Sequence, residues 1–388
     1  MKIVGEKLKI ARQIRNKTIT QLAKEVEVSK QAISQYESEL IEPKGEILSK
    51  ICNALSFPLF FFIKPFKEEI NVSNTFFRAL NSTPALERNS YYERAKLVSR
   101  IYNYLEDILI LPKLNIPKFP LSDNVTDCEI EKVASNLRHY WGLGEDPVFD
   151  VVSLLERNGV IVSVLKSESK KIDGFTQVYR SNGKLRYCVI LDDEKHSMAR
   201  RNFSAAHELG HLILHSYINP EEFEADRLKI EKQANQFASS FLLPKNSFKK
   251  DLINPLDYEL YVTLKLKWRV SIKAMIVRAK DLGIIDYYQY TTLFKKYNYK
   301  ITHSNLPGEK YEPFDNDGKI SFEQPELFET ALELSLDNKE TDYYFMQERL
   351  KELGVALDDE FLCSILPIPD NFFDKYQIRD KILKIKLK

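Results

Sequence analysis

Two histidines four residues apart, His207 and His211, flank a glutamate, Glu208, in the run Ala206-His207-Glu208-Leu209-Gly210-His211-Leu212. On a helix, positions i and i+4 stand one above the other, so both imidazoles can offer a nitrogen to one Zn²⁺ ion. Glu208 lies about 100° further round the helix, where its carboxylate can reach a water in an open coordination position without itself ligating. The pattern His-Glu-x-x-His is that of metal-assisted peptide hydrolysis, with the glutamate as general base. It also arises by chance on charged helices, so it carries weight only with a fitting helix and a third donor. Phe203, Ala206, Leu209, Leu212 and Ile213 give the helix an apolar side.

The third donor must come from elsewhere in the chain. Downstream, Ile230, Ala234, Phe237, Ala238, Phe241 and Leu242 recur at helical spacing, and Glu231 and Asn235 share another face of that helix. Two histidines and one glutamate leave a fourth position open, whereas a structural zinc site is closed. Glu222, Glu224 and Asp226 stand closer to His211 in sequence and remain alternatives, although no apolar helical frame surrounds them. His215 continues the i, i+4 stripe but rises about 12 Å from His207, which assigns it to support rather than ligation. Tyr187, Tyr217 and His215 are unranked candidates for stabilising an oxyanion.

Such a helix pair needs a frame, and the preceding residues read as strands. Val160–Val164, Gly174–Tyr179 and Arg186–Leu191 are β-branched or aromatic runs bounded by Asn158-Gly159 and Ser181-Asn182-Gly183. An edge of this small sheet could pair with an extended peptide and lay its scissile bond across the metal. Helices are expected near Asp127–Tyr140 and Val148–Asn158. Two more are expected between Thr75 and Leu111, broken at Asn81-Ser82-Thr83-Pro84, before an extended connector from Leu111 to Pro120. Further helices are expected over Tyr258–Trp268 and Ser271–Leu282, the latter stopped by Gly283, and over Leu327–Leu336. Tyr287-Tyr288-Gln289-Tyr290 reads as packing. The acidic turn Asp315-Asn316-Asp317-Gly318 lacks the ligand register of a calcium loop, and no chemistry is assigned to the basic end, Lys381–Lys388.

The N-terminus carries a second pattern. Leu8, Ile10, Ala11 and Ile14 mark one helix, Thr20 is the expected cap of a second over Gln21–Val26, and Ser29 that of a third over Lys30–Glu37. Helix, short turn, helix is a DNA-reading geometry in which the second of the pair enters the major groove. Lys30, Gln31, Ser34 and Gln35 are the expected base or phosphate contacts and Gln21 a phosphate contact. Phe60, Phe61 and Phe62 are expected to close this core or a dimer face. Residues 1–55 hold 10 Lys+Arg against 7 Asp+Glu, a balance of +3, so tight operator binding calls for a homodimer.

Two resemblances follow from these residues. The stretch Arg200–His215, then Glu231-x-x-Ala234-Asn235-x-Phe237-Ala238, Leu242-Leu243-Pro244 and the run Trp268–Ile285, resembles the ImmA/IrrE family of bacterial metallo-endopeptidases. The resemblance implies a zincin-like fold, His207, His211 and Glu231 as zinc ligands, Glu208 as general base, and an Xre-type transcriptional repressor as substrate. Gln21-Leu22-Ala23, Val28-Ser29, Ile33-Ser34-x-Tyr36-Glu37, Pro43 and Leu48-x-x-Ile51-x-x-Ala54-Leu55 resemble the Cro/CI (Xre) helix-turn-helix family. That family usually has a glycine and basic residues after the recognition helix. Here the chain reads Ser38-Glu39-Leu40-Ile41-Glu42, which puts phosphate affinity in doubt.

Composition sets the remaining bounds. A net charge of +1 over 388 residues excludes a globally basic nucleic-acid coat and confines any DNA contact to a local patch. Cys52, Cys128, Cys188 and Cys363 form no Cys-x-x-Cys pair, as expected of thiols in a reducing cytoplasm. No secretory signal is expected from the first residues, and Phe57–Ile63, the longest apolar stretch, is too short to span a bilayer. The expected class is α+β and mostly helical. Its expected parts are an all-α helix-turn-helix domain (1–66), a helical linker region (67–125), a zincin-like metallopeptidase domain with a small sheet (126–250), a helical bundle (251–300) and a small C-terminal tail domain (301–388). The expected function is a zinc-dependent regulatory endopeptidase fused to a DNA-binding domain. The alternative is a transcriptional regulator, or an antitoxin-like DNA-binding protein, whose metal site is sensory or structural.

Overall fold

A computed structural model describes residues 2–77, 84–122, 124–165, 174–192, 197–216, 218, 222, 225–304, 311–315, 324–338 and 341–377, the side chains of 73–77 and 304 excepted. The fold is α+β and mostly helical, with one four-stranded sheet among the described residues.

Five short helices open the chain: α1 (Gly5–Ile14), α2 (Ile19–Glu25), α3 (Lys30–Glu37), α4 (Gly45–Leu55) and α5 (Leu59–Ile63). The cap of α2 is Thr18 rather than Thr20. Thr18 Oγ1 accepts the Gln21 N–H at 3.1 Å, and Gln21 Oε1 accepts the Thr18 N–H at 2.8 Å. A reciprocal capping box satisfies two helix-end donors at once, which Thr20 has no matching partner to do. Ser29 caps α3 as expected, accepting from the Ala32 N–H at 3.0 Å. Phe61 and Phe62 are buried beside Phe57, whereas Phe60 points outward. The acidic turn after α3 has a structural use. Glu39 holds the left-handed backbone a glycine would favour (φ 56°), and its Oε1 accepts the Gly5 N–H at 3.0 Å, anchoring the start of α1.

The structure departs from the two helices expected between Thr75 and Leu111. Asn71–Phe77 form a strand, β1, and a single helix, α6, runs over Ala85–Ile108. The expected break at residues 81–83 lies outside the described residues, and Pro84 caps α6. The misreading has a physical source: Phe76, Phe77 and Leu80 fit a helical stripe over so few residues that a strand fits equally well.

Helices α7 (Asp127–Tyr140) and α8 (Val151–Arg157) lead into β2 (Ile161–Leu165), β3 (Gly174–Ser181) and β4 (Lys184–Asp192). The sheet order is β1-β3-β4-β2. β1 and β4 both pair antiparallel with β3, and β2 runs parallel to β4. Then come α9 (Met198–Leu214), α10 (Arg227–Leu242), α11 (Lys245–Asp251), α12 (Tyr258–Trp268), α13 (Ile272–Asp281) and α14 (Tyr287–Ser304). Tyr287 and Tyr288, expected to pack, project from α14 into solvent. The last helices are α15 (Leu327–Asp337), α16 (Tyr343–Glu352) and α17 (Asp359–Ile365). Residues 316–318 of the acidic turn and the basic end at 381–388 fall outside the described residues.

Because side chains alternate along a strand, the sheet divides the interior into two cores. Phe175, Tyr179, Cys188 and Ile190 face one way, into a core with α1, α6 and residues 328–376. Val178, Val189 and Leu191 face the other way, toward α7, α9, α10, α12 and α13. The N-terminal helices and the last three therefore share a core on the side of the sheet opposite α9.

Lys7 lies at the joint between α1 and the C-terminal helices. Its Nζ donates to the Gly354 carbonyl and sits 4.6 and 4.0 Å from the ring centroids of Phe61 and Phe66. Burial, with the Arg100 charge adding to it, pushes the Lys7 ammonium down to about 7. The unfolded chain then binds more protons than the folded one between about pH 7 and the ordinary value of 10.5, so stability should rise with pH across that window. Urea unfolding at several pH values should show this rise, and Lys7→Met should flatten it.

Candidate metal centre

α9 and α10 approach closely because Gly210 has no side chain. A Cβ there would come within 3.2 Å of the Ala234 Cα and carbonyl oxygen and of the Phe237 Cβ. The glycine of the His-Glu-x-x-His run is thus the contact point of the two helices, and the contact brings Glu231 to the histidine stripe.

Three donor atoms converge there. His207 Nε2 and His211 Nε2 are 3.1 Å apart, and the Glu231 carboxylate lies 3.3 Å from the first and 3.5 Å from the second. Among the described residues this is the one group of three or more His, Cys, Asp or Glu side chains placed to hold a metal. Of the sequence alternatives, Glu222 and Asp226 do not join it, and Glu224 lies outside the described residues.

The protonation of both rings follows from their partners. His207 Nδ1 lies 3.1 Å from Asn235 Oδ1, an acceptor, so Nδ1 carries the proton and the Nε2 lone pair faces inward. For His211 the logic runs through a relay. Gln233 Nε2 donates to the Val125 carbonyl at 3.0 Å, which fixes the amide and turns Gln233 Oε1 toward His215 Nε2 at 3.1 Å. His215 must then donate through Nε2 and accept through Nδ1, which lies 3.1 Å from His211 Nδ1. His211 is left with its proton on Nδ1 and its Nε2 lone pair toward Glu231. Burial, followed by the neighbouring His211, pushes His215 down to about 3, in keeping with a neutral ring.

The arrangement fits a divalent cation. Both Glu231 oxygens are buried without a hydrogen-bond partner, and two imidazole lone pairs converge on them. Burial works to raise the Glu231 pKa, and only a proton on a facing Nε2, or a metal ion in its place, offsets that and holds the carboxyl below its ordinary range. Tetrahedral zinc with ligands at roughly 2.0–2.2 Å sets ligand atoms about 3.3–3.5 Å apart, close to the separations found here.

Glu208 stands beside this group, turned toward β3. Its Oε2 accepts the Thr176 hydroxyl at 2.7 Å, and a Cβ on Gly174 would lie 3.5 Å from its Oε1. That Cβ would only touch the oxygen; its tighter contacts would be with the Ile190 carbonyl oxygen at 3.0 Å and Leu191 Cδ2 at 3.2 Å. Sequence reasoning missed Thr176, Gln233 and Val125, which lie 32, 18 and 108 residues from their partners; no local spacing marks such pairs. Of the oxyanion candidates, His215 is committed to His211, Tyr187 meets Ser216, and Tyr217 lies outside the described residues.

The residues expected to touch DNA lie on the N-terminal helices. Lys30, Gln31 and Ser34 are exposed on α3, Gln35 is half-buried there, and Gln21 is exposed with its Oε1 engaged in the α2 cap.

The IrrE N-terminal-like domain of peptidase family M78 matches residues 155–280, and a helix-turn-helix family matches residues 8–62. No curated protein matches the chain. No helix among the described residues is long and apolar enough to cross a membrane.

The relay through His215 predicts a metal phenotype for a residue that does not ligate. His215→Ala should weaken zinc binding by about 10–100-fold in competition with a chromophoric chelator, while far-ultraviolet circular dichroism stays unchanged.

Proposed function

We propose that this chain, which joins an ImmA/IrrE-type peptidase domain to an N-terminal Xre-type helix-turn-helix domain, is a zinc-dependent endopeptidase that cleaves an Xre-type transcriptional repressor in the cytoplasm. The observation that carries this reading is the convergence of His207, His211 and Glu231 with Glu208 beside them but outside the donor set. A purely structural site has no use for that fourth side chain.

His207, His211 and Glu231 would hold Zn²⁺, which when bound supplies a Lewis acid for the scissile carbonyl and acidifies a water. The chain's own residues do the rest. Asn235 and the Val125–Gln233–His215 relay keep both rings in the ligating tautomer. Thr176 steadies the Glu208 carboxylate through Oε2, and that carboxylate takes the proton of the attacking water and returns it to the departing amine. Exclusion of bulk solvent strengthens each of these interactions, and His207, Glu208 and His211 are only 1–2% exposed.

Glu208→Gln separates this reading from that of a transcription factor with a structural or sensory metal. The variant should bind one zinc as the parent does and lose about 10²–10⁴-fold in hydrolysis rate, measured on a small Xre-type repressor co-expressed with it and followed by mass spectrometry. Undiminished regulation by that variant in cells would favour the transcription factor.

The helix-turn-helix domain directs this activity to DNA. Lys30 and Gln31 stand at the start of α3, where a recognition helix meets base edges and phosphates. Lys30→Ala should weaken operator binding and, if Lys30 contacts a phosphate, lower the salt-dependence slope by about one, as read by fluorescence anisotropy at several salt concentrations.

A further inference from the structure

The strand beside Glu208 has no open edge. β3 supplies Thr176 and Gly174 to the surroundings of Glu208, and it pairs on one side with β4 and on the other with β1. An extended peptide presented to Glu208 by main-chain pairing would run along β3, yet residues 71–77 of the chain already do so. Their register runs antiparallel from Asn71↔Arg180 to Phe77↔Phe175, so the C-terminal end of β1 stops beside the two β3 residues nearest Glu208. The near-complete burial of His207, Glu208 and His211 agrees with a closed site.

We propose that the outer edge of β3 is the docking edge for an extended substrate segment lying antiparallel to it, and that β1 is a resident stand-in which the substrate displaces. This inference rests on the peptidase reading for its purpose but not for its test.

Three features make β1 exchangeable. Its sequence, Asn-Val-Ser-Asn-Thr-Phe-Phe, includes two asparagines, a residue type depleted in strands. Its ladder is interrupted by a register shift between Val72 and Asn74, whereas β3 and β4 pair residue for residue over Gly174–Ser181. It also has a side-chain anchor just ahead of its N-terminal end. Just before it, the Glu68 carboxylate accepts from Asn103 Nδ2 at 2.8 Å and from Asn182 Nδ2 at 2.9 Å, and the Glu68 carbonyl accepts from Arg100 at 3.2 Å. The proposed exchange keeps that anchor and opens the β1–β3 pairs at the end nearest Glu208.

The attachment links the two halves of the molecule. β1 lies between α5 and α6, and α6 carries the helix-turn-helix unit: Ser90 Oγ donates to the Ile14 carbonyl at 2.7 Å, and Ile14 belongs to α1. A shift of α1 against α6 would act on the strand covering the site. Pairing by an incoming strand replaces one set of main-chain hydrogen bonds with another, so the exchange leaves the sheet's ladder complete.

The experiment has two arms. In the first, hydrogen exchange of the zinc-loaded full chain followed by mass spectrometry should show β1 amides opening at least about tenfold faster than those of β4, with the β3–β4 ladder still protected. In the second, a fluorescein-labelled peptide of the sequence Asn-Val-Ser-Asn-Thr-Phe-Phe should bind the double variant Val72→Pro/Thr75→Pro at least about tenfold more tightly than it binds the parent. Proline removes the N–H and weakens β1 pairing. Should the double variant fail to fold, the exchange arm on the parent chain decides alone. Protection of β1 equal to that of β4, or no peptide binding by a folded double variant, overturns the proposal. Absence of hydrolysis alongside rapid β1 exchange and peptide capture would sink the peptidase reading and leave the docking edge standing.

Discussion

Two imidazole lone pairs and a carboxylate, held 3.1–3.5 Å apart in a nearly solvent-free site, repel one another unless a cation joins them. Buried polar atoms without partners cost free energy, so this convergence has to be enforced by the surrounding fold. Enforcement comes from packing and from hydrogen bonds. The α9–α10 contact at Gly210 sets the distance, and the acceptors Asn235 Oδ1 and Val125 O, at the ends of two hydrogen-bond chains, decide where the ring protons go. Each second partner is as necessary to the site as the ligands, because a ring in the other tautomer would present N–H instead of a lone pair.

The sheet extends this constraint to the rest of the molecule. One face backs α9 and holds Thr176 against Glu208; the other face shares a core with α6, the N-terminal helices and residues 328–376. Alternation along β3 places Phe175 and Tyr179 on the side of the N-terminal helices and Val178 on the side of the metal centre. A displacement on one face must therefore be felt on the other, since close-packed interiors transmit strain rather than absorb it. Buried polar groups such as the Lys7 amine, held between aromatic rings and a carbonyl, tie the N-terminal and C-terminal helices into that arrangement.

Local chemistry accounts for what could be read without coordinates. The i, i+4 histidines, the flanking apolar stripe and the helical frame of Glu231 are short-range patterns, and the fold follows them. Ser29 as a cap and the hairpin around Asn182-Gly183 are equally local, the turn needing the positive φ that Asn182 and Gly183 adopt. Thr18 caps α2 in place of Thr20, and a strand reaches Phe77 where a helix is expected from Thr75, because two local patterns compete there over few residues.

The sequence by itself determined the chemical types at the centre, two imidazoles and two carboxylates, and the helices that carry them, because periodicity and ligand spacing are properties of neighbouring residues. Only the tertiary structure decided which carboxylate joins the histidines, which ring nitrogen is protonated, what steadies Glu208, and that β3 has no free edge. Those outcomes depend on atoms from 18 to 108 residues away in the chain, brought together by the packing of two cores on opposite faces of one sheet.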